Sequence, residues 1–403
     1  MNILDNSALR ACTSCQMCGA VCAKNAISIT LDKDGFYRPV VDESLCVDCG
    51  LCVKVCHKFE EDIRMTTDAE LADTQLYAAA AKSDDLVRAT TSGGVADLLA
   101  KQLIAEGYKV VGVAYDPESN RAIHQVAETA EQTDAFRGSK YIQSYCMEAF
   151  RTLVKDCKTQ KYAVFGLPCQ IYAISRYLER IQMRDNCMLI DLYCHGCPSM
   201  HVWTKVSEKV RNTLGCKSFD KAIWRSKHRG WGKFVLEAHG DNGKHFVSRP
   251  MNNEFFDLFF CNQVLNESCT DCKLRGTLAY TDIRLGDFWG KEYDKTFRGM
   301  SAVSLVTEKA KKLFCEIQND LTTTQKDYST FLPYQSWAHV YKVDEGLRKE
   351  LLMRLSDPKT SIKDCVMPLY RRRSMKAKVT VCVKQVLSYL PNSIENKVRK
   401  FIK

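Results

Sequence analysis

Eight cysteines in the first 56 residues fall into two copies of one spacing: Cys12, Cys15, Cys18 and Cys22, then Cys46, Cys49, Cys52 and Cys56, each position repeated 34 residues on. Thiolates are soft ligands that suit iron and zinc. Three of them at successive three-residue steps wrap a tight loop around one cube of iron and sulfur. The fourth opens the next helix and ligates the neighbouring cube. The spacing therefore predicts two 4Fe-4S clusters, one on Cys12, Cys15, Cys18 and Cys56, the other on Cys46, Cys49, Cys52 and Cys22. Zinc knuckles are the alternative, but they use two ligand pairs parted by a longer spacer. The residue after each fourth cysteine is Ala23 or His57 rather than the usual proline, which removes no ligand.

Three later loops carry cysteines beside chemistry-bearing neighbours. Phe165-Gly166-Leu167-Pro168-Cys169-Gln170 and Tyr193-Cys194-His195-Gly196-Cys197-Pro198-Ser199 each follow a hydrophobic run, and Cys269-Thr270-Asp271-Cys272 supplies a C-x-x-C pair. Cys169, Cys194, Cys269 and Cys272 make four thiolates for a third 4Fe-4S cluster, or Cys169 and Cys194 are buried small hydrophobes, a common fate of free cysteine. Cys197 fits either reading. The remaining cysteines (146, 157, 187, 216, 261, 315, 365 and 382) read as buried hydrophobes. His195, and Asp287 in the run Gly286-Asp287-Phe288-Trp289-Gly290, have the side chains of proton carriers and also those of ordinary structural residues.

Two glycine- and hydroxyl-bearing loops suit an anion. Thr91-Ser92-Gly93-Gly94 precedes an amphipathic run, where small residues let backbone amides approach a phosphate. The same residues also make an ordinary helix N-cap. Gly138-Ser139-Lys140-Tyr141 adds a cation and two hydroxyls for a nucleotide tail, or is a surface turn.

The elements that must position these residues follow from the periodicity. Residues 1–65 form the cluster-binding unit, with residues 26–41 as a hairpin between the motifs and residues 60–75 as a polar linker. From residue 76 to about 330, strand-like runs (76–81, 109–114, 162–165, 188–193, 280–285) alternate with helical ones (94–106, 146–155, 170–181, 201–214). That order predicts an α/β domain with a largely parallel or mixed sheet. After residue 217 the texture turns to β pieces at 233–239 and 244–248 and a helix near 254–261. Residues 331–403 read as a helical tail.

At 403 residues and 45% hydrophobic content the chain can bury a sizeable core and divides into two or three domains. No apolar stretch reaches the length of a membrane-spanning helix. Residues 1–11 lack the pattern of a secretion signal, so 21 cysteines point to a reducing, cytoplasmic setting. The net charge of +10 is local: the tail from Arg371 holds ten basic residues against Glu395, leaving +1 for the rest. This is not the basic, aromatic-studded face of a nucleic-acid binder. In the tail Met375, Val379, Cys382, Val383, Val386, Leu387 and Leu390 form a helical stripe flanked by lysines, suited to peripheral contact with an anionic membrane or to docking on the protein's own core.

Residues 1–65 resemble an α+β two-cluster ferredoxin. The order ferredoxin repeat, Thr-Ser-Gly-Gly, Gly-Ser-Lys-Tyr, Gly-Leu-Pro-Cys-Gln, Cys-His-Gly-x-Pro-Ser, Cys-Thr-Asp-Cys and Gly-Asp-Phe-Trp-Gly resembles the coenzyme F-420 hydrogenase/dehydrogenase beta-subunit family from about residue 8 to residue 305. The resemblance implies a flavin, FAD in type, and an iron–sulfur cluster in the α/β domain. Ser92, Gly93, Gly94, Ser139, Lys140 and Tyr141 stand at the flavin-contact motifs, and Cys169, Cys194, Cys269 and Cys272 at the third cluster. It also implies electron transfer between clusters and a reducible small molecule, with a ferredoxin or dehydrogenase subunit as redox partner. In the alternative, the chain feeds electrons to a separate enzyme. Bacterial relatives with this layout are linked with surface-polysaccharide synthesis, which makes a sugar intermediate one expected substrate.

Overall fold

The computed structural model describes residues 1–250, 253–293 and 296–387. Each cysteine loop leads into a short helix, α1 (Met17–Ala20) or α2 (Leu51–Lys54). Between them β1 (Ile27–Leu31) pairs antiparallel with β2 (Tyr37–Val41), the hairpin expected from the sequence. The repeat extends to the backbone. Ser14 and Asp48 take φ of 65° and 49°, and Gln16 and Gly50 take 63° and 73°. Left-handed turns at matching positions curl each loop back on itself, as wrapping a cluster requires. Residues 60–75 are not simply a linker. They include α3 (Asp68–Asp73), closed by a capping box in which Thr67 and Glu70 exchange side chain–backbone hydrogen bonds.

The rest is a mixed α/β body. Its strands are β3 (Gln75–Ala81), β4 (Tyr108–Asp116), β5 (Arg121–Ala127), β6 (Ser144–Tyr145), β7 (Lys161–Phe165), β8 (Cys187–Leu192), β9 (Phe219–Ser226), β10 (Val235–Gly240), β11 (His245–Val247), β12 (Ile283–Asp287), β13 (Ser301–Leu305) and β14 (Leu321–Lys326). Among the described residues the main sheet has nine strands in the order β14-β3-β13-β12-β8-β7-β4-β5-β6. Its centre, β12-β8-β7-β4, is parallel, and both flanks contain antiparallel pairs. The parallel strands read as continuous apolar runs because both faces are covered. Residues 187–191 of β8, for example, are all buried. The sequence pattern missed β5, β6, β9, β13 and β14. In these strands polar and charged residues interrupt the apolar run, or the run is too short to stand out. A second sheet, β11-β10-β9, stands apart.

Helices α4 (Asp84–Ala89), α5 (Val95–Ala105), α6 (Met147–Asp156), α7 (Pro168–Arg180), α8 (Met200–Leu214), α9 (Glu254–Phe260) and α10 (Glu308–Ile317) belong to this body. α7 opens with Pro168 in its first turn, and Gln170 Oε1 accepts the Leu167 amide at 2.8 Å. After α11 (Tyr328–Phe331) the chain is helical in α12 (Glu345–Ser356), α13 (Ile362–Cys365), α14 (Met367–Arg371) and α15 (Met375–Leu387). The cluster-binding unit packs into the body: Met17, Ala20, Val21 and Val55 share one buried apolar cluster with Phe150, Ile171 and Tyr172. Leu390, Glu395 and the basic residues from Lys397 onward lie outside the described residues.

Candidate electron-transfer site

Carboxyl ends of adjacent parallel strands are where an open α/β sheet presents its ligand-binding loops. Here β7 leads into Gly166–Cys169, β8 into Tyr193–Ser199, and β12 ends at Asp287. These loops bring Cys169, Cys194 and Cys197 together. The Cys269–Cys272 turn joins them through Asn266, whose amide donates to Cys197 O at 2.8 Å and whose carbonyl accepts the Cys269 amide at 2.8 Å. Burial raises the thiol of Cys169 well above its ordinary range, and neighbouring Cys15, Cys197, Cys272 and Cys194 add to the rise. Cys197 is raised in the same way by burial and by Cys269, Cys194, Cys272 and Cys146. Burial also pushes Cys194 up to about 12 and Cys269 up to about 11. The group therefore holds five thiols, Cys197 included.

Among the first eight cysteines, neighbours lie close enough to influence one another's ionisation. Cys18 is raised by burial and then by Cys15, Cys12, Cys56 and Cys52. Cys56 is raised by burial, with Cys15 and Cys12 contributing, whereas Cys52 is raised by burial and feels Cys49 and Cys22. A small pocket is lined by Cys12, Cys15, Cys18 and Cys56 together with Ile3, Tyr37 and Val55. Cys46 is partly exposed and lies within 4.0 Å of Asn2 Nδ2, and Cys49 is exposed.

Iron–sulfur clusters fit these thiols better than zinc. Thiolates around one zinc at 2.3 Å stand roughly 3.8 Å apart. Among the described residues no three of these sulfurs lie within 4.8 Å of one another, wider than the spacing around a single zinc ion. Packed thiols that hinder one another's ionisation in low dielectric are also what a polynuclear cation would relieve.

The three groups stand in sequence. Cys18 couples the two N-terminal sets, Cys15 adjoins Cys169, and Cys146 Sγ donates to Cys15 O at 3.2 Å. Asn266 Nδ2 reaches Ser14 Oγ at 3.0 Å, tying the third group to the first loop. Cys146, Cys157, Cys187 and Cys365 are buried as expected, but Cys315 and Cys382 are exposed, because each lies on the outer face of a surface helix.

The two anion-type loops meet. The Ser139 amide donates to Thr91 Oγ1 at 2.7 Å, although 48 residues separate them. Gly93 is pressed against the sheet. Its amide donates to Ser301 Oγ at 2.9 Å, and a Cβ there would stand 2.3 Å from Ala79 O. Ser92 Oγ donates to Met300 O at 2.9 Å. Gly94 takes φ 85° and opens α5, whose first turn has no side-chain cap. Lys140 donates to Ala135 O and Arg137 O, and burial lowers its ammonium to about 7.

Tyr141 accepts a hydrogen bond from Arg225 at 3.1 Å, and Arg225 also pairs with Asp287. Trp231 Nε1 donates to Asp287 Oδ1 at 3.3 Å, and the Trp231 and Trp289 rings stack at 4.4 Å. Burial lowers Lys227 to about 7; its ammonium donates to Val87 O and Ser92 O. No sequence motif marks Arg225, Lys227 or Trp231, which lie in β9 and the loop after it.

Asp287 therefore lies among cations, and its carboxylate is engaged by Arg225 and Trp231. His195 Nε2 is 2.7 Å from Asn262 Oδ1 and its Nδ1 is 3.1 Å from the Tyr341 hydroxyl. Burial lowers it to about 4, so it is neutral near pH 7. Phe259 touches both sides of the site, with its ring 5.0 Å from His195 and 5.3 Å from Tyr141.

Comparison with known proteins follows the same division. Residues 11–59, which enclose all eight N-terminal cysteines, match the 4Fe-4S dicluster domain, and residues 159–329 match the family described as the C terminus of the coenzyme F420 hydrogenase/dehydrogenase beta subunit. The second match includes the five later cysteines and Asp287 but not the loops at Thr91 and Ser139. Among solved structures, a chain of the F420-reducing [NiFe] hydrogenase complex from Methanosarcina barkeri, studied by xenon derivatization, is 18% identical with a TM-score of 0.46. The alignment covers 77% of this chain and 97% of that one. No curated protein matches.

Proposed function

We propose that this chain, in which a 4Fe-4S dicluster domain is joined to a coenzyme F420 hydrogenase/dehydrogenase beta-subunit domain, is an iron–sulfur flavoprotein oxidoreductase acting on a reducible small molecule. The observation that carries the reading is the contiguity of the three cysteine groups, from exposed Cys49 through Cys15 to Cys169, beside the paired loops at Thr91 and Ser139.

The residues present fit both cofactor types. Clusters supply single electrons, and a bound FAD supplies the exchange between one-electron and two-electron chemistry. The thiolates of Cys12, Cys15, Cys18 and Cys56, those of Cys22, Cys46, Cys49 and Cys52, and four of the later five would hold the clusters. The uncapped start of α5 offers amides to a phosphate, and Lys140 and Lys227, lowered to about 7 by burial, would be held protonated by its charge. Ser92, Gly93 and Gly94 shape that seat, and Ser139 and Tyr141 fasten its other side. Arg225 holds Asp287 in place, and the buried, neutral His195 can exchange a proton through Tyr341 without a standing charge beside the cysteines.

The redox partner is a ferredoxin or dehydrogenase subunit reaching the Cys49 end, and a sugar precursor in surface-polysaccharide synthesis is one substrate this reading accommodates. The experiment is anaerobic purification followed by heat extraction and turnover. We expect a yellow flavin to be released, and steady reduction of an added acceptor by the chain alone. No extractable flavin sinks the flavoprotein reading. Clusters that discharge only when a partner enzyme is added make the chain a non-catalytic electron-transfer subunit.

The tail adds a second contact. Met375, Val379 and Val383, spaced by one helical turn, are 72%, 56% and 41% exposed, which favours a membrane surface over docking on the core. No candidate membrane span occurs among the described residues. Cosedimentation with anionic vesicles at low salt is expected, and its absence removes this contact.

A further inference from the structure

The β10–β11 ribbon carries a group that electron transfer does not use. Side chains two apart on a strand share a face, so Glu237 and His239 of β10 lie together. His245 of β11 pairs directly with His239 across the ribbon and joins them. Glu237 Oε1 is 2.9 Å from His239 Nε2 and 3.0 Å from His245 Nε2, and the two imidazole centroids are 4.5 Å apart. One donor atom from each lies within 4.8 Å of the other two, a convergence shared by no other His, Cys, Asp or Glu trio among the described residues.

We propose that Glu237, His239 and His245 form a binding site for a divalent first-row transition-metal ion, with zinc as the reference case. Two imidazoles and one carboxylate are the donor set of three-ligand zinc sites that keep a position open. The scaffold is paired strand rather than loop, so the ligands are held at fixed spacing. The carboxylate is also oriented from behind, because the Ser226 hydroxyl donates to Glu237 Oε2 and leaves Oε1 facing the imidazoles. Glu237 is 15% exposed while His239 and His245 are 42% and 41% exposed, so the fourth position faces solvent. In the metal-free ribbon both imidazole Nε2 atoms face Glu237 Oε1, and an ion bound there takes the tautomer that carries its proton on Nδ1 and leaves the Nε2 lone pair free. Lys221 of β9 pairs with His239 on the other side and is exposed. Its charge lowers the affinity but does not fill the face.

The test uses the full, cluster-loaded chain, purified anaerobically, treated with a mild chelator and titrated with zinc. The expected result is one zinc per chain whose X-ray absorption shows nitrogen and oxygen ligands at roughly 2.0–2.1 Å and no sulfur near 2.3 Å. His239→Ala and His245→Ala each remove that ion with iron content unchanged. Ser226→Ala weakens binding by about 10- to 100-fold. Three results overturn the site: no zinc bound at sub-millimolar concentration, zinc held by sulfur alone, or nitrogen-bound zinc that survives both histidine variants. The iron count separates each of these from a failure of the electron-transfer reading.

Discussion

Gln16 caps the helix that begins at Met147, 131 residues away: its side-chain carbonyl accepts the Met147 amide at 3.0 Å and the Cys146 amide at 2.8 Å. Its own amide group donates to Ser144 O at 3.0 Å. One buried side chain of the first cysteine loop thereby satisfies the amides at the start of α6 and fixes that loop against the body.

Gln16→Leu leaves two buried amides without an acceptor. The expected loss is about 2–4 kcal/mol of unfolding free energy, read by urea unfolding of the cluster-loaded protein. Iron should be released earlier in the same titration. An unchanged midpoint would mean that the loop is held by its apolar contacts alone.

The five later thiols exceed the four a cluster needs. Alanine at Cys169, Cys194, Cys269 or Cys272 is expected to lower the iron content by about four atoms per chain, while Cys197→Ala leaves it unchanged. Iron and acid-labile sulfide analysis decides. Loss in Cys197→Ala with retention in one of the others would exchange their roles.

Arg284 and Asp191 pair bidentately in the core, at 2.7 and 2.5 Å, on neighbouring strands β12 and β8. Arg284 also donates to the carbonyls of Arg275 and Leu274, just after Cys272. Arg284→Met strands a buried carboxylate and is expected to cost about 3–5 kcal/mol, with loss of the iron that the proposed third cluster would hold. Pairing it with Asp191→Leu should recover part of the stability without recovering the iron, because the carbonyls after Cys272 remain unheld.

His124 is buried against Phe150, and burial lowers its pKa to about 3. In the unfolded chain it titrates near 6.5. Between those values the unfolded state binds the proton and the folded state does not, so stability is full above pH 6.5 and falls as pH drops towards 3. The slope from this one group is at most about 1.4 kcal/mol per pH unit. His124→Phe should flatten the dependence of the urea midpoint on pH between 7 and 5 relative to the parent. Equal slopes would refute the assignment.

Much of the site could be read from residue spacing. The grouping of Cys12, Cys15 and Cys18, and of Cys46, Cys49 and Cys52, follows from three-residue steps, a local property of the chain. The meeting of Thr91 with Ser139 was not legible, because two loops 48 residues apart converge only when β3 and the segment after β5 are placed by the sheet. Arg225 and Lys227 were hidden for a related reason. Arg225 lies in β9 and Lys227 just after it; that strand has a mixed polar pattern, and only the fold brings them against Asp287. β3 itself, Gln-Leu-Tyr followed by four alanines, runs against strand propensity. It is a strand because its neighbours cover both faces and leave room only for small side chains.

Those alanines set the character of the loop beside them. With Gly93 seated on Ala79 and hydrogen-bonded to Ser301, the turn at Thr91–Gly94 is fastened to the sheet before any ligand arrives. A phosphate binding there meets a rigid surface and orders nothing, so little of its affinity is lost to ordering the loop. Its association should then be a single step limited by encounter, with selectivity expressed in how slowly the bound molecule leaves.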